Sequence, residues 1–397
     1  MSQVRLTAFR YSPAIGGAEN YSRRLLREIG DRLDIDVVTL LNRQRTDWLP
    51  SLIEGDRDEA DSYVVDGRNV VALGRWPVST QRALRLLIPG YHLPASPAPW
   101  LMARLLTRHL EAAVSGTQLV HNVFMGREAF SAGLLLAAKK ASLPFVFTPL
   151  RHERPLGWSS PAFRRLYQQS DAVIALTNSE AAWLESHGAD KSRLHVIGLG
   201  PQNDPEASPE PALEMLGRDR KIVLFLAQLH AYKGFRELLA AARLLERRGD
   251  VRFVFAGPDV RGNSAAFARA ADNVTWMGVV PANIRDSLLS ACDVLCVPSS
   301  RESFGSVVVE AWSCGKPVVG GPAAATRELI EDGVDGFVVP QRPEVIAERV
   351  SQLLDDSDLA RDMGCRGKEK VDRQFSWKAI SQAHVAIYER LLAGTAR

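Results

Sequence analysis

The sequence is short of cysteine, of long apolar runs and of net charge, and each shortage excludes something. Its four cysteines, Cys292, Cys296, Cys314 and Cys365, form no Cys-x-x-Cys pair. That argues against a zinc site or a disulfide framework and reads as reduced thiols of a cytosolic protein. No uninterrupted apolar stretch is long enough to span a bilayer. Residues 1–9 are too short an apolar run for a secretory signal and read as a strand. A net charge of +3 lacks the basic excess of a nucleic-acid binder, so no such partner is expected. Acidic residues are missing locally as well. Residues 67–110 contain none, yet hold Arg68, Arg75, Arg82, Arg85, Arg104 and Arg108.

What is present has a strong rhythm. The 397 residues exceed what one core supports, so two domains are expected. Strand-like runs at residues 4–9, 35–40, 69–73, 119–121, 145–148, 172–175 and 194–197 alternate with helical patterns at 17–33, 100–114, 128–140 and 179–187. That alternation predicts a mostly parallel sheet covered on both faces. Residues 200–211, GPQNDPEASPEP, have a linker composition. The alternation then restarts, with strands predicted at 222–226, 252–256, 274–276, 294–297, 317–319 and 336–339. A last helix is expected over 376–392. The predicted fold class is α/β, with two doubly wound Rossmann-like domains facing a central cleft. Their predicted extents are 1–205 and 206–375, with residues 376–397 as a C-terminal helix. Ligands of such sheets bind beyond the carboxyl ends of the strands.

Residues 298–340 carry the chemistry. The strand over 294–297 ends in a polar loop with Glu302, and Phe304, Gly305 and Ser306 open a helix. A helix start offers free amides and a positive dipole end to a phosphate. Glu310 lies further along that helix among Val307, Val308, Val309, Ala311 and Trp312. A carboxylate there needs a partner, and a ribose diol or a core cation would serve.

The run ESFGSVVVE followed by AWSCGKPVV and GVDGFVVP resembles the E-x7-E signature of retaining, GT-B-fold glycosyltransferases, the glycosyl transferases group 1 of family-4-like type. The resemblance implies that Glu302 lies against a donor sugar, that Glu310 holds the ribose, and that the amides of Phe304, Gly305 and Ser306 meet the sugar and phosphates. Three further segments extend the likeness. SPAIGGAENY resembles the family's glycine loop, placing Gly16 and Gly17 near the diphosphate or acceptor. QLVHNVF resembles the segment whose strand-end histidine touches the donor sugar, here His121. FLAQLHAYKGF resembles the segment whose Arg and Lys neutralise the diphosphate; Lys233 fills the Lys position, while Gln228 stands where the family has Arg. Arg301 and Arg327 are the nearest replacement cations in sequence. Ala324 and Ala325 stand where the family often has a glycine pair. In relatives the last helix packs back on the N-terminal domain.

Taken one at a time, each residue also has a plainer reading. Glu310 could pair with a core cation, Lys233 could be a solvated surface lysine, and His121 could be an internally satisfied structural histidine. His152, in TPLRHERP, is an acceptor-side candidate. The Asp34/Asp36 and Asp56/Asp58 pairs read as structural or solvated, so no obligatory metal is expected. The function implied is transfer of a sugar from a UDP- or GDP-linked donor to an acceptor glycan, lipid-linked sugar or small molecule, in envelope polysaccharide, glycolipid or glycoconjugate synthesis. A catalytically weak binding partner and a sugar-nucleotide 2-epimerase are the alternatives. The arginine-rich stretch over 75–108 mixes its cations with Trp76, Leu86, Leu87, Ile88, Tyr91, Trp100 and Leu101. Two readings fit: an interfacial contact with an anionic membrane on its cytoplasmic face, or an arginine-rich cover over the core.

Overall fold

A computed structural model describes residues 2–14, 16–43, 47–56, 61–93, 95–152, 157–260 and 262–395. The chain divides into two compact units. One comprises residues up to Ile197 together with those from Ile380 onward; the other is Gly198–Ala379.

The first unit is built on an eight-stranded sheet. Its strands are β1 (Val4–Arg10), β2 (Ile35–Leu41), β3 (Asp61–Val65), β4 (Arg68–Ala72), β5 (Leu119–Val123), β6 (Phe145–Thr148), β7 (Ala172–Ala175) and β8 (Leu194–Val196). They are ordered β3-β4-β2-β1-β5-β6-β7-β8. All neighbours run parallel except β3, which pairs antiparallel with β4. The central strands are buried along their whole length, as a sheet covered on both faces requires. The β3 hairpin strand is exposed or half-buried throughout, and its short run over residues 63–65 is not among the strands predicted from the sequence. The helices Ala98–Val114 and Glu128–Lys140 pack on the sheet around Leu106, Leu110, Leu134 and Leu135, all fully buried.

The second unit has six parallel strands: β9 (Lys221–Leu226), β10 (Val251–Ala256), β11 (Val274–Gly278), β12 (Val294–Val297), β13 (Val318–Gly320) and β14 (Phe337–Val338). Their order is β11-β10-β9-β12-β13-β14. The expected linker over 200–211 is ordered otherwise than its composition predicted. Its backbone amides find acceptors: the Asp204 amide donates to Asp286 at 3.0 Å, and Glu210–Leu216 forms a helix whose Ala212 amide donates to the Ser287 hydroxyl. The helix Ser357–Lys370, absent from the sequence reading, packs through Gly364 and Gly367 against Gly315 and Trp312, where a Cβ would meet the Gly315 oxygen at 2.0 Å.

In each sheet the strand order reverses beside one strand. The reversal falls between β1 and β5 in the first unit and between β9 and β12 in the second. A crevice at the carboxyl end of such a reversal is where doubly wound sheets take their ligands.

Candidate functional site

In the second unit the predicted residues lie on the two loops that flank the reversal. β9 runs into an exposed Gln228, then a 3-10 turn over Ala231–Lys233. Gly234 follows in the left-handed region, with φ of +77°, and starts the helix Phe235–Leu244. A Cβ on Gly234 would lie 2.5 Å from the Pro298 oxygen, so only glycine lets the loop after β9 come this close to the loop after β12. The two loops are laced together at Tyr232. Its carbonyl accepts from the Ser300 amide at 2.7 Å and from Gln341 Nε2 at 3.1 Å; Gln341 Nε2 also donates to the Pro298 oxygen at 2.8 Å. The outcome is an ion pair with Lys233 Nζ 2.6 Å from Glu302 Oε1, both groups mostly shielded from water.

Four residues after Glu302 the helix Ser306–Ser313 begins. Its N-cap is Gly305 at φ of +97°, and no side chain caps it. The N-cap residue therefore offers the first amides no side-chain acceptor. Phe304, 3% exposed, is held edge-to-face against Phe375 and fixes the chain's entry into the helix. Glu310 is 5% exposed. Its carboxyl accepts from the Gln202 amide, and Arg285 Nη1 stands 3.8 Å from Oε1. Burial pushes the Glu310 pKa up, and Arg285 opposes that rise. Both plainer partners, a cation and a backbone donor, are thus present at Glu310. Arg301 and Arg327 are exposed, and Ala324 and Ala325 open the helix Ala324–Leu329.

In the first unit, Gly16 caps the helix Gly17–Ile29. A Cβ on Gly16 would lie 2.5 Å from Glu19 Oε2, whereas one on Gly17 would meet nothing within 4 Å. Arg10, the last residue of β1, pairs with Glu19 in the buried interior, and its guanidinium lies over the Trp48 ring at 5.0 Å.

His121 departs from its expected place. It is the third residue of the five in β5, level with Leu6 and Val146 on the flanking strands, and is wholly buried. Nδ1 meets the Tyr388 hydroxyl at 2.7 Å and Nε2 meets the Thr148 hydroxyl at 2.8 Å. With both ring nitrogens occupied and no exposure, this histidine has no means of touching a sugar. It belongs to a chain of hydrogen bonds whose direction can be assigned. His384 Nδ1–H must donate to the Ile380 carbonyl at 2.8 Å, so its Nε2 accepts from the Tyr21 hydroxyl at 2.9 Å. Thr148 then donates to Tyr21 and accepts from His121 Nε2–H, and Tyr388 donates to His121 Nδ1. Every link is satisfied with both imidazoles neutral. Burial lowers both pKa values, that of His384 to about 4.

Several residues near the carboxyl ends of the first sheet were not anticipated. Arg127 precedes the helix Glu128–Lys140 and lies over Tyr91 at 5.4 Å. Arg151, beyond β6, lies over Trp183 at 4.1 Å. Among the described residues neither guanidinium has an ion pair, and the buried Nε of each has no hydrogen-bond partner. The nearby acids feel these charges but take their hydrogen bonds from other groups: Glu128 from Tyr91 and Ser160, Glu180 from the amides of Arg151 and Leu176. Both are pushed up by burial, Glu180 to about 7. His152 is exposed. An arginine stacked on a distant ring in a loop has no sequence signature.

The aspartate pairs divide. Asp36 is held by Arg5 and Ser2, Asp56 is buried and accepts from the Asn42 amide, and Asp58 lies outside the described residues. Among the described residues no group of three or more His, Cys, Asp or Glu is placed to hold a metal ion. No helix among them is long and apolar enough to cross a membrane.

Two doubly wound units in one chain are the GT-B arrangement. The structure of Anabaena HepE in complex with UDP and glucose shares it, with a TM-score of 0.71 over 98% of this chain and all of that one, at 18% identity. Residues 214–370 match the family described as glycosyl transferases group 1, and residues 16–200 match the glycosyl transferase 4-like domain. The D-inositol 3-phosphate glycosyltransferase of Mycolicibacterium vanbaalenii is 31% identical, over 77% of this chain and 68% of its own length. That of Mycolicibacterium smegmatis is 31% identical over 66% of this chain and 62% of its own. The chain belongs to the group 1 glycosyltransferases. Across the first three such relatives it spans 60% to 63% of their length.

Proposed function

We propose that the protein transfers a glycosyl unit from a nucleoside-diphosphate sugar to an acceptor hydroxyl, with retention at the anomeric carbon. The observation that carries this reading is the Lys233–Glu302 pair at the β9/β12 reversal, four residues ahead of the uncapped start of the helix Ser306–Ser313. As the bond between the anomeric carbon and the diphosphate oxygen breaks, negative charge grows on that oxygen. Lys233 and the amides of Phe304, Gly305 and Ser306 stabilise it. Glu302 lies against the donor sugar, and Glu310 accepts hydrogen bonds from the ribose diol. Gln228 contributes hydrogen bonding and no charge, so Lys233 carries the electrostatic work that the family's pattern divides between two cations. The acceptor attacks on the face the diphosphate leaves, and its hydroxyl proton passes to the departing phosphate oxygen.

The acceptor side falls to the first unit, at Gly16, Gly17, Arg127 and Arg151. Two stacked arginines that form no ion pair among the described residues suit an acceptor bearing an anionic group, and the Mycolicibacterium relatives are named for a phosphorylated inositol. The test is calorimetry with UDP and GDP, followed by a donor-consumption assay over phosphorylated and neutral acceptors. Binding of one diphosphate and turnover dependent on an acceptor are expected. Nucleotide binding without donor consumption over the whole panel points to a binding partner, and an epimerised nucleotide sugar formed without acceptor points to an epimerase.

A second element of the reading concerns the membrane. Val78, Leu86, Leu93 and Leu101 are exposed in the same stretch as the exposed Arg75, Arg82, Arg85, Arg104 and Arg108. Apolar side chains among cations suit an anionic lipid surface. Co-sedimentation with phosphatidylglycerol vesicles but not phosphatidylcholine vesicles is expected, and equal behaviour with both removes the idea.

A further inference from the structure

We propose that Arg285 is a positioning residue that keeps Glu310 charged and free to receive a ribose. The inference rests on the ribose role given to Glu310 above and adds a residue that the family motif does not contain.

Glu310 is enclosed by three pieces of chain. The segment at residues 202–203 contributes the Gln202 amide to its carboxyl and the Asn203 side chain to its carbonyl. Its own helix contributes the Ser313 hydroxyl, again to the carbonyl, with Cys314 beyond. The helix Ala282–Ala291 contributes Arg285 and Asp286. Among these groups Arg285 is the cation, Asp286 the other acid and Cys314 the remaining titratable side chain.

The geometry of Arg285 is specific. Asp286 grips it on one side, accepting from Nε at 2.9 Å with Nη2 at 2.7 Å, and Asp286 is itself fixed by the Asp204 amide. The remaining Nη1 is held 3.8 Å from Glu310 Oε1. That is beyond hydrogen-bonding reach yet close enough for charge to act. The guanidinium therefore favours the carboxylate form without occupying its lone pairs. A ribose diol needs that state, because a carboxylate can accept both hydroxyl protons, whereas a protonated carboxyl must spend one oxygen as a donor. Burial alone works the other way and raises the Glu310 pKa. Arg285 is the larger counterweight, and the Gln202 amide the smaller one.

The test uses the full chain with Arg285→Gln, Arg285→Lys and Asp286→Asn. UDP affinity is measured by calorimetry from about pH 5 to about pH 8. R285Q is expected to bind nearly as well as wild type at the alkaline end, with a deficit that widens as pH falls to about tenfold for each unit by which the Glu310 pKa rises; R285K restores most of the loss. In the ligand-free protein, carbon NMR of the labelled Glu310 carboxyl is expected to show a higher titration midpoint in R285Q. D286N, which removes a like charge while leaving the cation, lowers that midpoint. A pH-independent deficit in R285Q, or an unmoved midpoint in either R285Q or D286N, overturns the proposal. If the wild-type chain binds no nucleoside diphosphate, the ribose reading falls, while the NMR titration still judges the coupling of Arg285 to Glu310.

Discussion

Lys233 Nζ stands 2.6 Å from Glu302 Oε1, joining the loop after β9 to the loop after β12 at the reversal of the second sheet. With its carboxylate partner it is close to neutral as a pair. In the proposed reaction, a diphosphate beside the start of the helix Ser306–Ser313 would compete with Glu302 for the same ammonium. On the proposed reading, the pair stores a cation for the leaving diphosphate.

Replacing Lys233 by Ala removes that cation and leaves Glu302 partly buried without a partner. Turnover of a nucleotide sugar is expected to fall about 10²–10³-fold, the usual consequence of losing one electrostatic stabiliser of a developing anion. Steady-state assays of donor consumption check this, and a variant with at least half of the wild-type rate removes Lys233 from the reaction.

Gly234 offers a purely structural test. At φ of +77° and with Pro298 O 2.5 Å from any added Cβ, Gly234→Ala must strain the backbone or part the two loops. A destabilisation of about 1–3 kcal/mol is expected in urea unfolding. Unchanged stability together with unchanged activity contradicts the close approach of the two loops.

How much of this could be read in advance follows from the kind of interaction involved. The strands buried on both faces, such as β5, β6 and β12, announced themselves as short apolar runs. The β3 strand did not, since its side chains face water. Glu302, Gly305 and Glu310 share one short segment whose spacing is local, whereas Lys233 is 69 residues from Glu302 and was singled out only through the resemblance of its own segment. His121 was misjudged because its partners, Thr148 and Tyr388, lie 27 and 267 residues away, and nothing in a heptapeptide encodes them. Arg285 was invisible for the same reason: its importance lies in its distance from Glu310, not in its neighbours in sequence.

The neutral state of His384 gives a pH prediction. Its pKa falls from 6.5 to about 4 on folding, so below about pH 6.5 the unfolded chain binds a proton that the folded chain refuses. Stability is therefore lost on acidification through that window. Glu180, raised from 4.5 to about 7, acts with the opposite sign between those values, so the wild-type profile alone is a mixture. The informative measurement compares wild type with His384→Gln. The variant should lose about 2 kcal/mol less than wild type between about pH 7 and about pH 5. Parallel profiles refute the assignment.

Tyr388→Phe deletes the donor to His121 Nδ1 and leaves a fully buried acceptor unmet. A loss of about 1–3 kcal/mol is expected, measurable by denaturant unfolding, with UDP affinity unchanged because the second unit keeps all its contacts. Weakened UDP binding combined with unaltered stability would place Tyr388 in the site instead of in the scaffold.

The helix Trp377–Thr395 carries a lesson for anyone cutting this gene. Trp377 hydrogen-bonds Pro201 within the second unit, while Ile380, His384 and Tyr388 serve the first. The amino-terminal half is thus not contiguous in sequence: its final piece is made only after the whole second unit. Until that piece emerges, His121 and Tyr21 wait with unmet bonds, and a fragment ending near residue 197 never acquires them. Chimaeras that exchange the second unit between relatives must graft the tail with the head, or mismatch the interior of the half they meant to preserve.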